Sequence, residues 1–100
     1  MEASAQSKHD VSIRLSDERW AHICEEHGEL VGRKAEVLAT IGVPDRIVAG
    51  QRGECLAVGQ VEPGKFLVVV YREQDRDGLV ITAFLTRRNR TLDRRPHLWP

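Results

Sequence analysis

Lys65-Phe66-Leu67-Val68-Val69-Val70-Tyr71-Arg72 is the stretch that decides the fold. Its unbroken run of β-branched and aromatic residues is that of a central strand buried on both faces. Downstream, Gln74-Asp75-Arg76-Asp77-Gly78 supplies an Asp-Gly hairpin turn, and Leu79-Val80-Ile81-Thr82-Ala83-Phe84-Leu85 returns as the partner strand. Upstream, Arg46-Ile47-Val48-Ala49-Gly50 and Glu54-Cys55-Leu56-Ala57-Val58 flank the turn Gln51-Arg52-Gly53 and predict a second hairpin, which Glu62-Pro63-Gly64 joins to the central strand. Consecutive short connections of this kind give an antiparallel meander.

The patterning before residue 41 is helical instead, apart from Val11-Ser12-Ile13-Arg14-Leu15, which alternates like a strand with one buried face. Ser16 is an N-cap, Asp17 and Glu18 place negative charge in the first turn, and Gly28 is the stop. On this helix Trp20, Ile23, Cys24 and His27 share one face, and Glu18, His22, Glu25 and Glu26 the other. A second helix is expected from about Gly32 to Ile41, with Val37, Leu38 and Ile41 as its apolar stripe and Gly42 as its end. Val43-Pro44-Asp45 then turns into the strands. The predicted architecture is α+β, with two N-terminal helices packed on one face of a four- to five-stranded antiparallel sheet. Residues 1–10, polar and small, read as a flexible N-terminal extension, residues 11–88 as a single domain, and residues 89–100 as a basic C-terminal tail.

Composition agrees with one folded domain. The 100 residues are 41% hydrophobic and 30% charged with eight glycines and four prolines, which argues against disorder and low complexity. No apolar stretch approaches the roughly 18 residues that span a bilayer, and the opening lacks a signal-peptide pattern, so no membrane partner and a cytoplasmic location are expected. Cys24 and Cys55 belong to no CxxC pair and read as small core residues.

The net charge of zero hides a polarity. Residues 1–50 hold six Lys or Arg against nine Asp or Glu, and residues 51–100 hold nine against six. Most of the positive excess lies in residues 86–95, where Arg87, Arg88, Arg90, Arg94 and Arg95 face only Asp93. Forked guanidinium donors match phosphate oxygens, so this run favours a phosphate-bearing partner; a solvated tail is the other reading.

Among the histidines, His22 and His27 are five residues apart on one helix, which at about 100° per residue sets them roughly 140° apart. They cannot share a metal ion, and no metal or cofactor is expected. His27 falls in the last turn of its helix, where an imidazole reaches the rim of a sheet and can donate or accept a proton; packed in the core, it would instead hydrogen-bond to backbone. In the last strand, alternation sends Ile81, Ala83 and Leu85 one way and Val80, Thr82 and Phe84 the other, leaving the Thr82 hydroxyl in apolar company and in need of a partner. Arg72 is either a positioned phosphate contact or an ordinary charged strand end.

Four motifs in order, Leu15-Ser16-Asp17-Glu18-Arg19-Trp20-Ala21-His22-Ile23 with His27-Gly28-Glu29-Leu30, Ile41-Gly42-Val43-Pro44-Asp45-Arg46-Ile47, Leu67-Val68-Val69-Val70-Tyr71-Arg72, and Ile81-Thr82-Ala83-Phe84, resemble a bacterial and phage family of small nucleases of the barnase/EndoU/colicin/RelE type. The resemblance spans residues 12–88. It implies a curved antiparallel sheet of the RelE-like kind, a metal-independent RNase activity, and functional roles for His27, His22 and Thr82. In that chemistry the ribose 2′-hydroxyl is the nucleophile, so His27 would serve as base or acid, Arg72 and Arg87 would stabilise the phosphorane, and Thr82 would donate to a phosphate oxygen. Arg88, Arg90, Arg94 and Arg95 would hold flanking phosphates.

The resulting expectation is an endoribonuclease-like protein that binds RNA, a toxin of a toxin–antitoxin or mobile-element system with an antitoxin or immunity protein as partner. A noncatalytic nucleic-acid- or protein-binding module of the same fold is the alternative, and a partner protein with His27 in its core is a third. An exposed sheet edge would permit a homodimer.

Overall fold

The computed structural model describes residues 2–100. In chain order it comprises β1 (Ala3–Gln6), β2 (Ser12–Leu15), α1 (Asp17–Glu26), a 3₁₀ turn (Gly28–Leu30), α2 (Lys34–Gly42), β3 (Arg46–Ala49), β4 (Cys55–Glu62), β5 (Lys65–Gln74), β6 (Asp77–Thr86), α3 (Asn89–Asp93) and β7 (His97–Trp99). The α+β class and the helices packed on a sheet are as the sequence indicates. The sheet is larger than expected and mixed: seven strands in the order β1-β2-β6-β5-β4-β3-β7, with β2 parallel to β6 and the other pairs antiparallel.

The meander from β3 to β6 follows from its short turns, and it puts β5 in the middle of the sheet. Leu67, Val69 and Tyr71 of β5 enter one core together with Ile13, Leu15, Ile23, Val37 and Ile41, so α1 and α2 cover that face. Val68 and Val70 enter a second core on the other face with Val48, Leu56, Val58 and Leu92, which α3 covers only in part. The chain leaves β2 through the helical layer and re-enters the sheet at β3. β2 is thereby free to pair with the start of β6, which breaks the all-antiparallel pattern.

Both ends depart from the expected extensions. Ala3–Gln6 pairs with Ser12–Leu15, and the turn between them is fastened to β5 by Glu73. Ser7 Oγ donates to Glu73 Oε2 at 2.5 Å, and His9 Nδ1 lies 2.8 Å from Glu73 Oε1. Residues 89–100 are likewise not a free tail. Leu92 is buried, Trp99 packs against the helix-side core, and His97–Trp99 pairs with β3. Arg46 holds α3 to the sheet by bonding Asp93 and Asn89 Oδ1. The folded unit thus extends beyond residues 11–88 on both sides. Its helices include none long and apolar enough to cross a membrane, among the described residues.

Two local differences bear on the site. The hairpin turn between β5 and β6 is at Asp75 and Arg76, with Asp75 in the left-handed region at φ 52°, while Asp77 and Gly78 belong to β6. The β5–β6 register also slips between Val70↔Thr82 and Tyr71↔Val80, leaving Ile81 as an extra residue. This bulge resets the alternation. Val80 joins Ala83 in the helix-side core, whereas Ile81 packs with Phe84 against the opposite one.

The cysteines occupy different surroundings. Burial, followed by the nearby Glu73 carboxylate, pushes the Cys55 thiol up, while Cys24 is partly exposed on α1. A raised pKa means less thiolate, the reactive form. Alkylation of the native protein at pH 8 followed by peptide mass spectrometry is expected to label Cys24 and spare Cys55 until denaturant is added; equal labelling would contradict the burial of β4.

Candidate functional site

The site is built on the sheet face that α3 leaves partly open. Thr82 lies opposite Val70 of β5, and two residues on Phe84 packs into the same core, so Thr82, Phe84 and Thr86 line one face of β6. Arg72, two residues beyond Val70, extends along this face to the β3–β4 loop, where its Nη1 donates to the Arg52 carbonyl at 3.0 Å.

Two open hollows meet at Phe84. One, of about 360 Å³, is lined by residues including Arg52, Glu54, Val70, Phe84 and Arg95. The other, of about 170 Å³, is lined by residues including Phe84, Thr86, Arg88, Leu92 and Arg95. Leu56 and Arg95 belong to both, which makes a single furrow with an apolar floor and an arginine rim.

His27 reaches this face from the other side of the sheet. It ends α1, its N–H donating to the Ile23 carbonyl at 2.8 Å. β2 pairs only with residues 77–79 of β6, so the rest of that strand has no strand partner on this side, and the 3₁₀ turn after His27 packs along it. The His27 ring thereby meets Phe84, with centroids 6.2 Å apart and planes inclined by 40°. One third of the His27 side chain is exposed, so it is a rim histidine and not a core one. Its Nδ1 is 3.7 Å from Glu29 Oε1, too far for a hydrogen bond.

Not every expected residue joins them. His22 is 54% exposed on the outer face of α1, pairs with Glu26 at 3.1 Å, and lines a separate depression with Ser16, Arg19 and Glu25. Arg87 turns to Glu62 at 3.2 Å, beside the β4–β5 turn. Arg90 and Arg94 are exposed on and just after α3 and do not line the furrow, whereas Arg88 and Arg95 do. No cluster of His, Cys, Asp or Glu suited to a metal ion occurs among the described residues.

Sequence reasoning missed Arg52, Glu54 and Phe84. Arg52 was legible only as a turn residue, and Phe84 only as strand; the threonines two residues to either side of Phe84 were the available signal that this face is not closed core. Glu54 is a loop clamp. Its Oε1 accepts the Arg52 N–H at 2.7 Å, and this bond, together with one from its own amide and the Arg72 and Arg52 charges, holds its carboxyl below the usual range. Gly50 accommodates it, because a Cβ there would sit only 2.1 Å from Glu54 Oε1. Among the described residues, Arg52, Arg72, Arg88 and Arg95 have no carboxylate within ion-pair distance. The chain matches no family model, no curated protein and no solved structure.

Proposed function

We propose that the open sheet face binds RNA and cleaves it without a metal ion. The observation that carries this reading is the His27 ring, partly exposed, set against Phe84 on the face that also bears Thr82, Arg72 and an arginine rim.

Chemically, the 2′-hydroxyl oxygen attacks phosphorus, the bond to the 5′-oxygen breaks, and a 2′,3′-cyclic phosphate and a 5′-hydroxyl result. His27 takes the proton from the 2′-hydroxyl and returns it to the departing 5′-oxygen, as an imidazole suits in both directions near neutral pH. Glu54 is unsuited to this task, because its carboxylate is committed to loop amides that disfavour protonation. Thr82 donates to a phosphate oxygen, and Arg72 and Arg95 balance the charge that grows on the phosphorane.

The test uses labelled RNA in excess chelator. Cleavage that survives in Cys24→Ala and disappears in His27→Ala and Thr82→Ala supports the enzyme. Binding that depends on salt, with no cleavage by the native chain, supports the second reading, a nucleic-acid-binding module, which arginines that lack a carboxylate within ion-pair distance favour independently. Arg72 and the three rim arginines Arg52, Arg88 and Arg95, each on one phosphate of a single strand, predict a slope of log K against log salt of about −3, reduced in magnitude by about 0.7 in Arg95→Ala. A flat salt profile would remove both readings.

A further inference from the structure

We infer that Phe84 is a stacking platform for a nucleobase, which makes single-stranded RNA the ligand class of this face; the inference rests on the RNA reading above and sharpens it.

Phe84 has features of both a core residue and a contact residue. It is only partly buried where it packs against the cluster that contains Leu92, and it lines both hollows. Of the other aromatic side chains, Tyr71 is wholly buried, Trp20 and Trp99 pack on the helix side, and Phe66 packs against the same open-face core but lines neither hollow. Phe84 alone joins an open furrow, an arginine rim and the His27 ring.

The chemistry of the rim fits the chemistry of the floor. Arg52 and Arg95 border one hollow, and Arg88 and Arg95 the other, so each hollow that Phe84 lines has cations at its border. A single strand presents flat bases at its centre and phosphates at its margin, and proteins that bind it pair aromatic stacking with a cationic groove. A base laid on Phe84 would set its own ribose and phosphate beside the ring that Phe84 already touches, that of His27. A duplex cannot use this arrangement, since its bases are stacked on one another and offer no free face.

The probes are a 2′-O-methyl RNA strand, which lacks the attacking hydroxyl and is not consumed, and the same sequence as a 2′-O-methyl duplex. A 2-aminopurine placed in the strand reports stacking by loss of fluorescence. The native chain is expected to bind the strand at least tenfold more tightly than the duplex and to quench the probe. Phe84→Leu, which keeps apolar volume, is expected to weaken strand binding by about tenfold and to abolish the quench, with Phe84→Trp restoring both. Thermal melts of the variants separate this loss from unfolding: Phe84→Leu that binds weakly while melting near the native temperature supports the platform.

Unchanged strand binding or quench in folded Phe84→Leu, or duplex bound as tightly as strand, overturns it. These outcomes differ from failure of the catalytic reading. Quenching and strand preference without cleavage of ordinary RNA would leave the platform standing and remove the enzyme, whereas cleavage by Phe84→Leu at the native rate would do the reverse.

Discussion

His27→Ala is expected to lower metal-free cleavage of RNA by about 10²- to 10⁴-fold, the range in which a positioned proton-transfer group contributes. The size of the effect follows from the absence of a substitute. Glu29 approaches the ring to 3.7 Å, but on the side of the loop after α1, and Glu54 is fixed to the amides of its own loop. His22 sits on the outer face of α1 with Glu26, and its replacement is expected to change the rate far less than that of His27. Loss of the ring removes one contact with Phe84 and leaves the capping N–H of residue 27 in place, so the helix end survives the substitution. The measurement is the initial rate in chelator for both histidine variants, with circular dichroism confirming that each is folded. A His27→Ala rate within a factor of about three of the native one, well below the contribution expected of a general acid or base, would mean that the ring is a packing partner of Phe84 and nothing more.

Much of this arrangement could be read from residue order, and the parts that could not share a cause. The run Leu67–Tyr71 announced a strand buried on both sides because five consecutive bulky residues have no polar face to offer, and the structure centres the sheet on it. Ser16 announced the start of α1, and its side chain accepts the Arg19 N–H. Ala3–Gln6 carried no such signal: its residues are small, and what makes it a strand is a ladder to β2 plus the grip of Glu73 on the intervening turn. His97–Trp99 is the same case at the other end, defined by the free edge of β3. A strand formed from a partner's unsatisfied backbone groups leaves little trace in its own side chains.

The site divides along the same line. His27 as a rim residue, and Thr82 as a hydroxyl on an otherwise apolar strand, were legible from helical and strand periods. That they serve one face was not, because strict alternation puts Val80 on the Thr82 side, and the bulge at Ile81 moves it to the other. Arg52 came to the site through a loop, where no period exists to follow. The arginine run was legible as charge but not as geometry. Docking of α3 by Arg46 and Leu92 selects Arg88 and Arg95 for the furrow and turns the exposed Arg90 and Arg94 elsewhere.

Gly78→Ala is expected to destabilise the chain by roughly 3 kcal/mol, at the upper end of ordinary overpacking. The reason lies in where β2 joins the sheet. Gly78 pairs with Glu73 on one side and Ile13 on the other, and an added Cβ would stand 2.5 Å from the Arg72 carbonyl oxygen and 2.6 Å from Ile13 Cδ1. Ile13 can turn aside, although it is fully buried and its movement would disturb the helix-side core. The carbonyl belongs to the backbone of β5 and can yield only if the central hairpin shifts. Against this stands the usual gain from replacing glycine, about 0.4–1 kcal/mol through the unfolded state, which is too small to offset the clash. Gly28→Ala isolates that gain: nothing lies within 4 Å of a Cβ there, so this variant is expected to melt at or slightly above the native temperature. For a domain of this size the Gly78 penalty corresponds to a fall in Tm of about 15 °C. Calorimetry on the two variants decides the matter. A Gly78→Ala protein that melts with the native one would show that β2 does not pack this closely on β6, and the parallel join that leaves the far half of β6 open to His27 would fall with it.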